Sequence, residues 1–220
     1  MNETIDLVFR RLAPVLMLSS ICSLAIAETD VSAIPEACRS DCVTPYGQLL
    51  GKTADNTEAY SNCKSACVVR QPNKYKGTYT GIKWQCVEYA RRWLLVHDGV
   101  VFGDIDIAAN MWDRINHVTN VSNHEDTPLV NYANGSAHMP ETGDLLIYAR
   151  EFETTGHVAV VTSVDEKAGT IRVAEENYSN TPWPGDYSRE IPFIRRGDKV
   201  WLLDSFLIGW KHLQPARSAN

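Results

Sequence analysis

Apolar and polar positions follow two different periods along this chain of 220 residues. In residues 84–94, which read WQCVEYARRWL, apolar side chains recur three or four positions apart from Cys86 onward. This spacing predicts a helix with one buried face, running from Cys86 to about His97. Residues 107–115 repeat the pattern and predict a second amphipathic helix.

The second half of the chain changes to short β-branched runs bounded by glycine and polar turns. Such runs predict strands, and their short connections predict antiparallel pairing of consecutive strands. The predicted strands are 144–149, 157–164, 170–175, 199–203 and 206–210. Residues 72–81 are predicted to be a loop, and residues 119–143 are predicted to be rich in loops. We therefore expect an α+β fold, with N-terminal helices packed on a curved antiparallel sheet.

Residues 1–27 have the pattern of a secretory signal peptide. Two arginines precede an apolar run over residues 12–27, which ends in the small-residue cleavage pattern Ala25-Ile26-Ala27. This run of 16 residues is shorter than the roughly 20 that a membrane-spanning helix needs. The sequence predicts a secreted protein, extracellular or periplasmic, without stable membrane insertion after cleavage. An uncleaved signal anchor is the alternative.

The formal net charge of −6 changes the range of expected partners. A mildly acidic chain has no electrostatic reason to bind nucleic acid or an anionic membrane as its main partner. The sequence predicts no cofactor and no metal ion.

Four of the six cysteines form two Cys-x-x-x-Cys pairs. They are Cys38, Cys42, Cys63 and Cys67. This spacing places both sulfurs of a pair on one face of a helix, so residues 28–71 are predicted to be a helical hairpin held by two disulfides. The simplest pairing joins Cys38 to Cys67 and the inner two to each other, although three connectivities are possible. A zinc site is the alternative to the disulfides.

Cys86 has no partner once these four are paired and Cys22 leaves with the signal peptide, which makes it a candidate reactive thiol. It stands at the start of a predicted helix, where the dipole and unpaired N–H groups favour a thiolate. A buried structural cysteine is the alternative.

Two further residues fit the same chemistry. His157 follows Gly156 at the start of one predicted strand, and Glu175 lies near the end of the next. Antiparallel pairing can place that carboxylate behind the imidazole, where it orients the ring and stabilises its protonated form. Glu176 competes with Glu175, but strand alternation lets only one of them face His157. The order Cys86, histidine, acid predicts a nucleophile, a base and an orienting group.

Residues 81–94, GIKWQCVEYARRWL, resemble the nucleophile motif of the CHAP family, the cysteine- and histidine-dependent amidohydrolases and peptidases. Within it they are most similar to the amidase domains of glutathionylspermidine synthetase/amidase and trypanothione synthetase. The resemblance covers about residues 72–213 and continues in order through 134–136, 143–147, 155–160, 174–177 and 209–210. It implies a papain-like CHAP/NlpC-P60-type domain over residues 72–220, after the signal peptide and a cysteine-rich appendage at 28–71.

The resemblance also implies roles for individual residues. Cys86 takes the place of the nucleophile, His157 that of the base and Glu175 that of the third member. The oxyanion would be held by the backbone N–H of Cys86, together with Gln85.

Three other positions bear on the substrate. Arg91 and Asn177 match positions that grip the peptide part of the substrate in the family, and a guanidinium there can pair with a carboxylate. A solvated helix face is the alternative for Arg91. At the position of Glu176 the family usually has Gln, so two adjacent acids here alter the local charge.

The sequence thus predicts a secreted cysteine amidohydrolase or peptidase that cleaves a peptide-like amide through a thioester on Cys86. Two substrates are expected candidates. The motif favours a peptide–polyamine conjugate such as glutathionylspermidine, and the export signal favours a peptidoglycan peptide of the bacterial cell wall. A non-catalytic module that binds wall peptides is the alternative of a different class.

Overall fold

The computed structural model describes residues 34–214. The predicted signal peptide at 1–27 lies outside the described residues. Within 34–214, no helix has both the length and the apolar character to cross a membrane.

Strands make up most of the regular structure in this part of the chain. The elements are β1 (Leu49–Lys52), β2 (Glu58–Tyr60), β3 (Pro72–Tyr75), β4 (Thr78–Ile82), α1 (Cys86–His97), β5 (Val100–Phe102), α2 (Met111–Arg114), β6 (His117–Asn120), β7 (Asp126–Ala133), β8 (Leu145–Tyr148), β9 (Val158–Asp165), β10 (Thr170–Ala174), β11 (Arg189–Arg196), β12 (Lys199–Leu202) and β13 (Leu207–Leu213). Single 3-10 turns lie at Glu36–Cys38 and Ala108–Asn110.

Nine strands form one antiparallel sheet in the order β12-β11-β10-β9-β8-β13-β7-β6-β5. The predicted pairing of consecutive strands is confirmed for β8 with β9 and for β9 with β10. The last strand, β13, inserts between β8 and β7. The C-terminal strand is therefore an internal part of the sheet.

Side chains of β8 alternate between two hydrophobic clusters, as the period of a strand requires. Leu145 and Ile147 join the cluster that contains Tyr89 and Trp93 of α1. Leu146 and Tyr148 join the second cluster, with Trp210 and the inner side chains of β11 and β12. Both faces of the central strand are thus buried, which explains why all four of its residues are inaccessible.

The predicted helical hairpin over residues 28–71 is wrong in the part that the structure describes. Residues 34–71 contain one 3-10 turn and the antiparallel hairpin of β1 and β2, without an α-helix. Left-handed backbone at Asp41 and Cys63, together with Gly47, interrupts any helical run. A short helix also gains too little from its own hydrogen bonds to form without an amphipathic face to bury.

Two disulfides replace the expected helices as the framework of this segment. They join Cys38 to Cys67 and Cys42 to Cys63, which is the simplest of the three pairings. Among the described residues, Cys86 is the free cysteine. The segment is part of the same compact unit as the sheet, so it is not a detached appendage.

Three other predictions about local structure need correction. The second helix shrinks to a 3-10 turn followed by the single turn α2. The predicted loop at 72–81 forms the hairpin of β3 and β4, and the loop-rich region predicted at 119–143 contains the end of β6 and all of β7. These strands lie near an edge of the sheet or outside it and keep many polar, exposed residues. Backbone pairing needs no apolar side chains, so the sequence pattern did not reveal them.

Candidate active site

Cys86 is the first residue of α1, and the strand before it reaches the helix through a close backbone contact. Gly81, at the end of β4, has a φ of 141°, and a Cβ built there would lie 3.0 Å from Cα of Glu88. Only glycine therefore lets β4 pass so near the first turn of α1. Gln85 precedes the helix in an extended conformation and makes no side-chain capping bond. The backbone N–H groups of the first turn are left for another acceptor.

His157 and Glu175 are brought together by the pairing of β9 and β10. Nε2 of His157 lies 2.8 Å from Oε2 of Glu175, and both side chains are inaccessible to solvent. The rings of Tyr148, Phe152 and Tyr178 surround the imidazole, with centroids 5.3–5.8 Å away. A dry surrounding strengthens the electrostatic interaction of the pair.

The charge on His157 depends on Cys86 as well as on Glu175. Burial by itself lowers the pKa of His157. A hydrogen bond and charge interaction with Cys86, followed by those with Glu175, outweigh burial and raise the pKa to about 9. Because Nε2 contacts the carboxylate, Nδ1 is the nitrogen left to face the thiol. The structure thus brings the thiol, the imidazole and the carboxylate together, with the imidazole in contact with both of the others.

Arg189 is a member of this cluster that the sequence did not suggest. Its Nε donates to Oε1 of Glu175 at 2.7 Å, and its Nη1 donates to Asp204 at 2.6 Å. Burial alone would raise the pKa of Glu175, but Arg189 and then His157 lower it to about 2. Nη2 of Arg189 also donates to the hydroxyl of Tyr148. Arg189 therefore keeps Glu175 ionised and fixes the orientation of its carboxylate on the side opposite His157.

Glu176 points away from His157, as strand alternation predicts. Its Oε1 accepts hydrogen bonds from the backbone N–H of Tyr60 and from Nη2 of Arg92, both at 2.8 Å. Arg92 also binds Glu88 one turn earlier on α1. Glu176 therefore belongs to a buried ion-pair network, through which the end of β10 is joined to α1 and β2.

Gln85 and Asn177 hydrogen-bond to each other instead of both facing open solvent. Nδ2 of Asn177 donates to Oε1 of Gln85 at 2.9 Å, and Nε2 of Gln85 donates to the carbonyl of Cys67 at 3.1 Å. Nδ2 of Asn62 donates to Oδ1 of Asn177 at 2.6 Å. This chain of amides fastens the disulfide segment to the residue immediately before Cys86.

Arg91 lies behind the wall of the cleft and does not line it. Its Nη1 is 3.5 Å from Oδ1 of Asp104, and its guanidinium lies over the rings of Tyr79 and Phe102. Burial lowers its pKa. The structure thus separates Arg91 from the other predicted substrate residues, because Asp104 and Tyr79 stand between it and the open space.

Cys86 and His157 line a cleft of about 410 Å³. Its walls come from the start of α1, the loop 152–157 and residues 65–68 of the disulfide segment. Asp104, Asp106 and Glu153 line it with exposed carboxylates, and no lysine or arginine of residues 34–214 is among the lining residues. The mouth of the cleft is therefore acidic.

A helix-terminal thiol that faces a sheet-borne imidazole and a buried carboxylate is consistent with the class of papain-like cysteine hydrolases. The comparison with protein families is more specific. Residues 75–177 match the CHAP domain, and the chain carries a CHAP domain over these residues. The nine-stranded sheet continues beyond this match, since β11 to β13 follow residue 177.

Several curated proteins are similar to this chain. The bifunctional glutathionylspermidine synthetase/amidase of Escherichia coli (strain K12) is 33% identical over 184 residues, which cover 76% of this chain and 29% of that protein. Trypanothione synthetase of Crithidia fasciculata is 30% identical over 160 residues, covering 72% of this chain and 24% of the relative. Glutathionylspermidine synthase of the same organism is 32% identical, covering 80% and 27%. The chain thus spans less than a third of the length of each.

Proposed function

We propose that this protein is a secreted cysteine amidohydrolase that cleaves a peptide-like amide bond, with Cys86, His157 and Glu175 as its catalytic residues. The observation that carries the proposal is the buried His157–Glu175 pair, 2.8 Å apart, beside a free thiol at the first residue of a helix. The CHAP match and the amidase named in the E. coli relative support the same reaction class. Two disulfides fit an oxidising compartment outside the cytosol.

The proposed reaction proceeds in two stages. His157 takes the thiol proton, and Sγ of Cys86 attacks the carbonyl carbon of the amide. The imidazolium then donates that proton to the leaving amine as the C–N bond breaks, which leaves a thioester on Cys86. In the second stage His157 removes a proton from water as the oxygen attacks the thioester carbonyl. The imidazolium then returns this proton to Sγ as the C–S bond breaks, which regenerates the thiol of Cys86 and releases a carboxylic acid.

The oxyanion formed in each stage needs donors that are fixed before the reaction. The backbone N–H of Cys86 fits this role, because the first turn of α1 lacks a side-chain cap. Gln85 has its side-chain amide engaged with Cys67 and Asn177. We therefore assign Gln85 a positioning role at the start of α1, as a revision of its expected place in the oxyanion hole.

The acidic mouth favours a substrate whose leaving amine carries positive charge. Asp104, Asp106 and Glu153 can attract a polyamine such as spermidine, while a peptide with free carboxylates meets like charge. We therefore place a peptide–polyamine conjugate first. A peptidoglycan peptide is the second candidate, because the disulfides fit a location where cell-wall peptides occur.

Three substrates separate the possibilities: a glutathione–spermidine conjugate, a glutathione amide of a neutral alkylamine of equal length, and soluble muropeptides. We expect the spermidine conjugate to show a kcat/KM at least tenfold above that of the neutral amide, with release of spermidine followed by mass spectrometry. Cys86→Ala is the control for each substrate. Preferential cleavage of muropeptides would replace the first candidate by the second.

If the protein cleaves none of the three substrates, the enzymatic proposal is contradicted and a binding module is favoured. Iodoacetamide labelling gives an independent measurement. A catalytic thiol paired with His157 predicts fast modification at pH 6 to 7, whereas a binding module predicts slow modification.

A further inference from the structure

Three potential metal ligands meet at a site that the proposed reaction does not use. They are His138, Glu141 and His212, and one ligand atom from each lies within 4.8 Å of the others. The first two belong to the loop before β8, and the third lies in β13. Strand β8 connects this cluster to the proposed active site. Asp144 lies beside the cluster and directly precedes β8, and Tyr148 lies beside His157 and is the last residue of β8. The two sites are therefore separated by about 13 Å of extended strand.

Asp144 sets the orientation of two of these ligands from a buried position. Its Oδ1 lies 2.8 Å from Nδ1 of His212, and its Oδ2 accepts the backbone N–H of Glu141 at 2.9 Å. With Nδ1 engaged, His212 has Nε2 free to act as a ligand. A carboxylate behind a histidine in this way is the usual support of a zinc-bound imidazole.

His138 supplies an independent observation that points to a missing ligand. Its ring stacks on Tyr132 at 3.9 Å between centroids, and its Nε2 is buried without a hydrogen-bond partner among residues 34–214. Oε1 of Glu141 lies 3.9 Å from this nitrogen, too far for a hydrogen bond. A buried, unsatisfied ring nitrogen is costly, and a metal ion would satisfy it.

We propose that His138, Glu141 and His212 form a binding site for a zinc-type transition-metal ion, contrary to the prediction of no metal ion from the sequence. Two imidazoles and one carboxylate suit Zn²⁺ and exclude Ca²⁺ or Mg²⁺, which prefer oxygen ligands alone. A tetrahedral ion with bonds of about 2.1 Å holds its ligands about 3.4 Å apart, so the cluster must contract by up to ~1.4 Å. The exposed side chain of Glu141 can make this movement.

The bound ion would join the loop 138–144 to β13. Three protein ligands leave one coordination position for water or for a group from a partner. The site lies at the opposite end of β8 from His157, so we assign it a structural role that does not include the amide chemistry.

The test uses the full chain carrying Cys86→Ala, because Cys86 with His157 is itself able to bind zinc. Isothermal titration with Zn²⁺ should give about one equivalent bound, and Co²⁺ should give the visible spectrum of a nitrogen- and oxygen-ligated ion. In the same background, Glu141→Gln and His138→Gln should each weaken binding at least tenfold. His117→Gln, an exposed histidine in β6, is the matched control and should bind as the parent does.

Thermal unfolding gives a second measurement, which distinguishes the loss of a metal ligand from the unfolding of a variant. Zinc at a concentration near the Kd of the parent should raise the Tm of the parent and raise the Tm of Glu141→Gln much less. Because Glu141 is exposed, its replacement should not unfold the chain. Absence of binding in the parent would overturn the proposal, and so would binding by Glu141→Gln and His138→Gln as tight as that of the parent. Neither result bears on hydrolysis at Cys86.

Discussion

At the scale of single residues, the charge state of His157 follows from its two neighbours. Burial would favour the neutral ring, yet Cys86 and Glu175 raise its pKa to about 9. Glu175 in turn stays ionised because Arg189 binds it from the other side. The proposed catalytic line therefore extends beyond thiol, imidazole and carboxylate to the guanidinium of Arg189.

Removing the thiol should lower the pKa of His157. In Cys86→Ala the largest contribution that raises this pKa is lost, while the burial that lowers it remains. NMR titration of the His157 ring should show the midpoint falling to lower pH than in the unmodified protein. His97, which is exposed, is the internal control. An unchanged midpoint would contradict the pairing of thiol and imidazole.

The same shift predicts how stability depends on pH. The pKa of His157 is raised from 6.5 to about 9 on folding, so its contribution is fully present below about pH 6.5. It is lost as pH rises through 9. We expect the urea midpoint of the unmodified protein to fall between pH 6.5 and 9 more steeply than that of His157→Gln. Parallel curves for the two proteins would contradict this assignment.

Replacement of Arg189 tests the extended line. Arg189→Ala removes the group that most lowers the pKa of Glu175, so that pKa should rise from about 2 and the acid limb of the rate profile should move to higher pH. We expect kcat/KM to fall about 10- to 100-fold, or about 1.4 to 2.7 kcal/mol in transition-state stabilisation. Arg189→Lys should restore part of the loss.

Arg172 provides the matched control for that experiment. It lies in the neighbouring strand β10 and pairs with Glu190 at the surface. Exposed ion pairs contribute little, so Arg172→Ala should leave the rate and its pH profile unchanged. An equal effect of the two replacements would show that Arg189 acts only through general stability.

At the scale of elements, the site depends on two close approaches of backbone to backbone. β4 reaches α1 at Gly81, and the loop before β9 reaches the end of β8 at Gly156. A Cβ at Gly156 would lie 2.5 Å from the carbonyl oxygen of Tyr148 and 2.9 Å from the backbone nitrogen of Ala109. His157 is placed correctly because the residue before it has no side chain.

Gly156→Ala should therefore destabilise the fold by about 3 kcal/mol or more, combining an unfavourable φ with a backbone clash. Gly197→Ala is the control, because that glycine has a similar φ of 63° but open space around its Cα. It should cost only about 1 to 2 kcal/mol. Urea unfolding measures both values. Equal losses would mean that the close approach at Gly156 contributes nothing.

The disulfide segment is also an element of the site. Its residues 65–68 line the cleft, and the carbonyl of Cys67 holds Gln85 next to Cys86. Breaking the disulfide by Cys38→Ser with Cys67→Ser should lower kcat/KM several-fold through a less ordered wall. A variant that unfolds is recognised by circular dichroism. Full activity in a folded variant would contradict this role.

At the scale of the whole molecule, the folded chain concentrates exposed carboxylates at the mouth of the cleft. The net charge of −6 predicts only a mildly acidic protein. Folding brings Asp104 and Asp106 to the same opening as Glu153, which is distant in the chain. The local field that a cationic substrate meets is therefore stronger than composition suggests.

This field should appear as a salt-dependent KM for a polyamine conjugate. Raising the ionic strength from 0.01 to 0.15 M shortens the screening length from about 30 to 8 Å, so KM should rise several-fold while kcat changes little. Asp106→Asn with Glu153→Gln should raise KM at low salt and reduce its salt dependence. Asp104 is kept in this variant because it pairs with Arg91. A KM that is independent of salt would contradict electrostatic selection.

The sequence alone predicted the helix that begins at Cys86, five of the six strands from β8 onward, and the line of Cys86, His157 and Glu175 as the place of chemistry. It missed β11, in which Pro192 and charged residues interrupt the β-branched pattern. The predicted features depend on local spacing or on pairing between consecutive strands, where short connections leave few alternatives. The structure brings the three residues together, and their catalytic roles stay a prediction. The same local reasoning failed over residues 34–71, where helical spacing of cysteines was overruled by turns and long-range disulfides.

Only the tertiary structure decided which groups surround that line. Arg189 of β11 meets Glu175 at the end of the neighbouring strand β10, and Asn62 of the disulfide segment meets Asn177. The histidines of the proposed metal site converge because β13 inserts between β7 and β8. Sequence spacing carries no information about such contacts, since each depends on the register of several strands at once. Cys86 was recognisable from the residues next to it in the sequence. The cleft walls formed by residues 65–68 and 152–157 were revealed only by the folded chain.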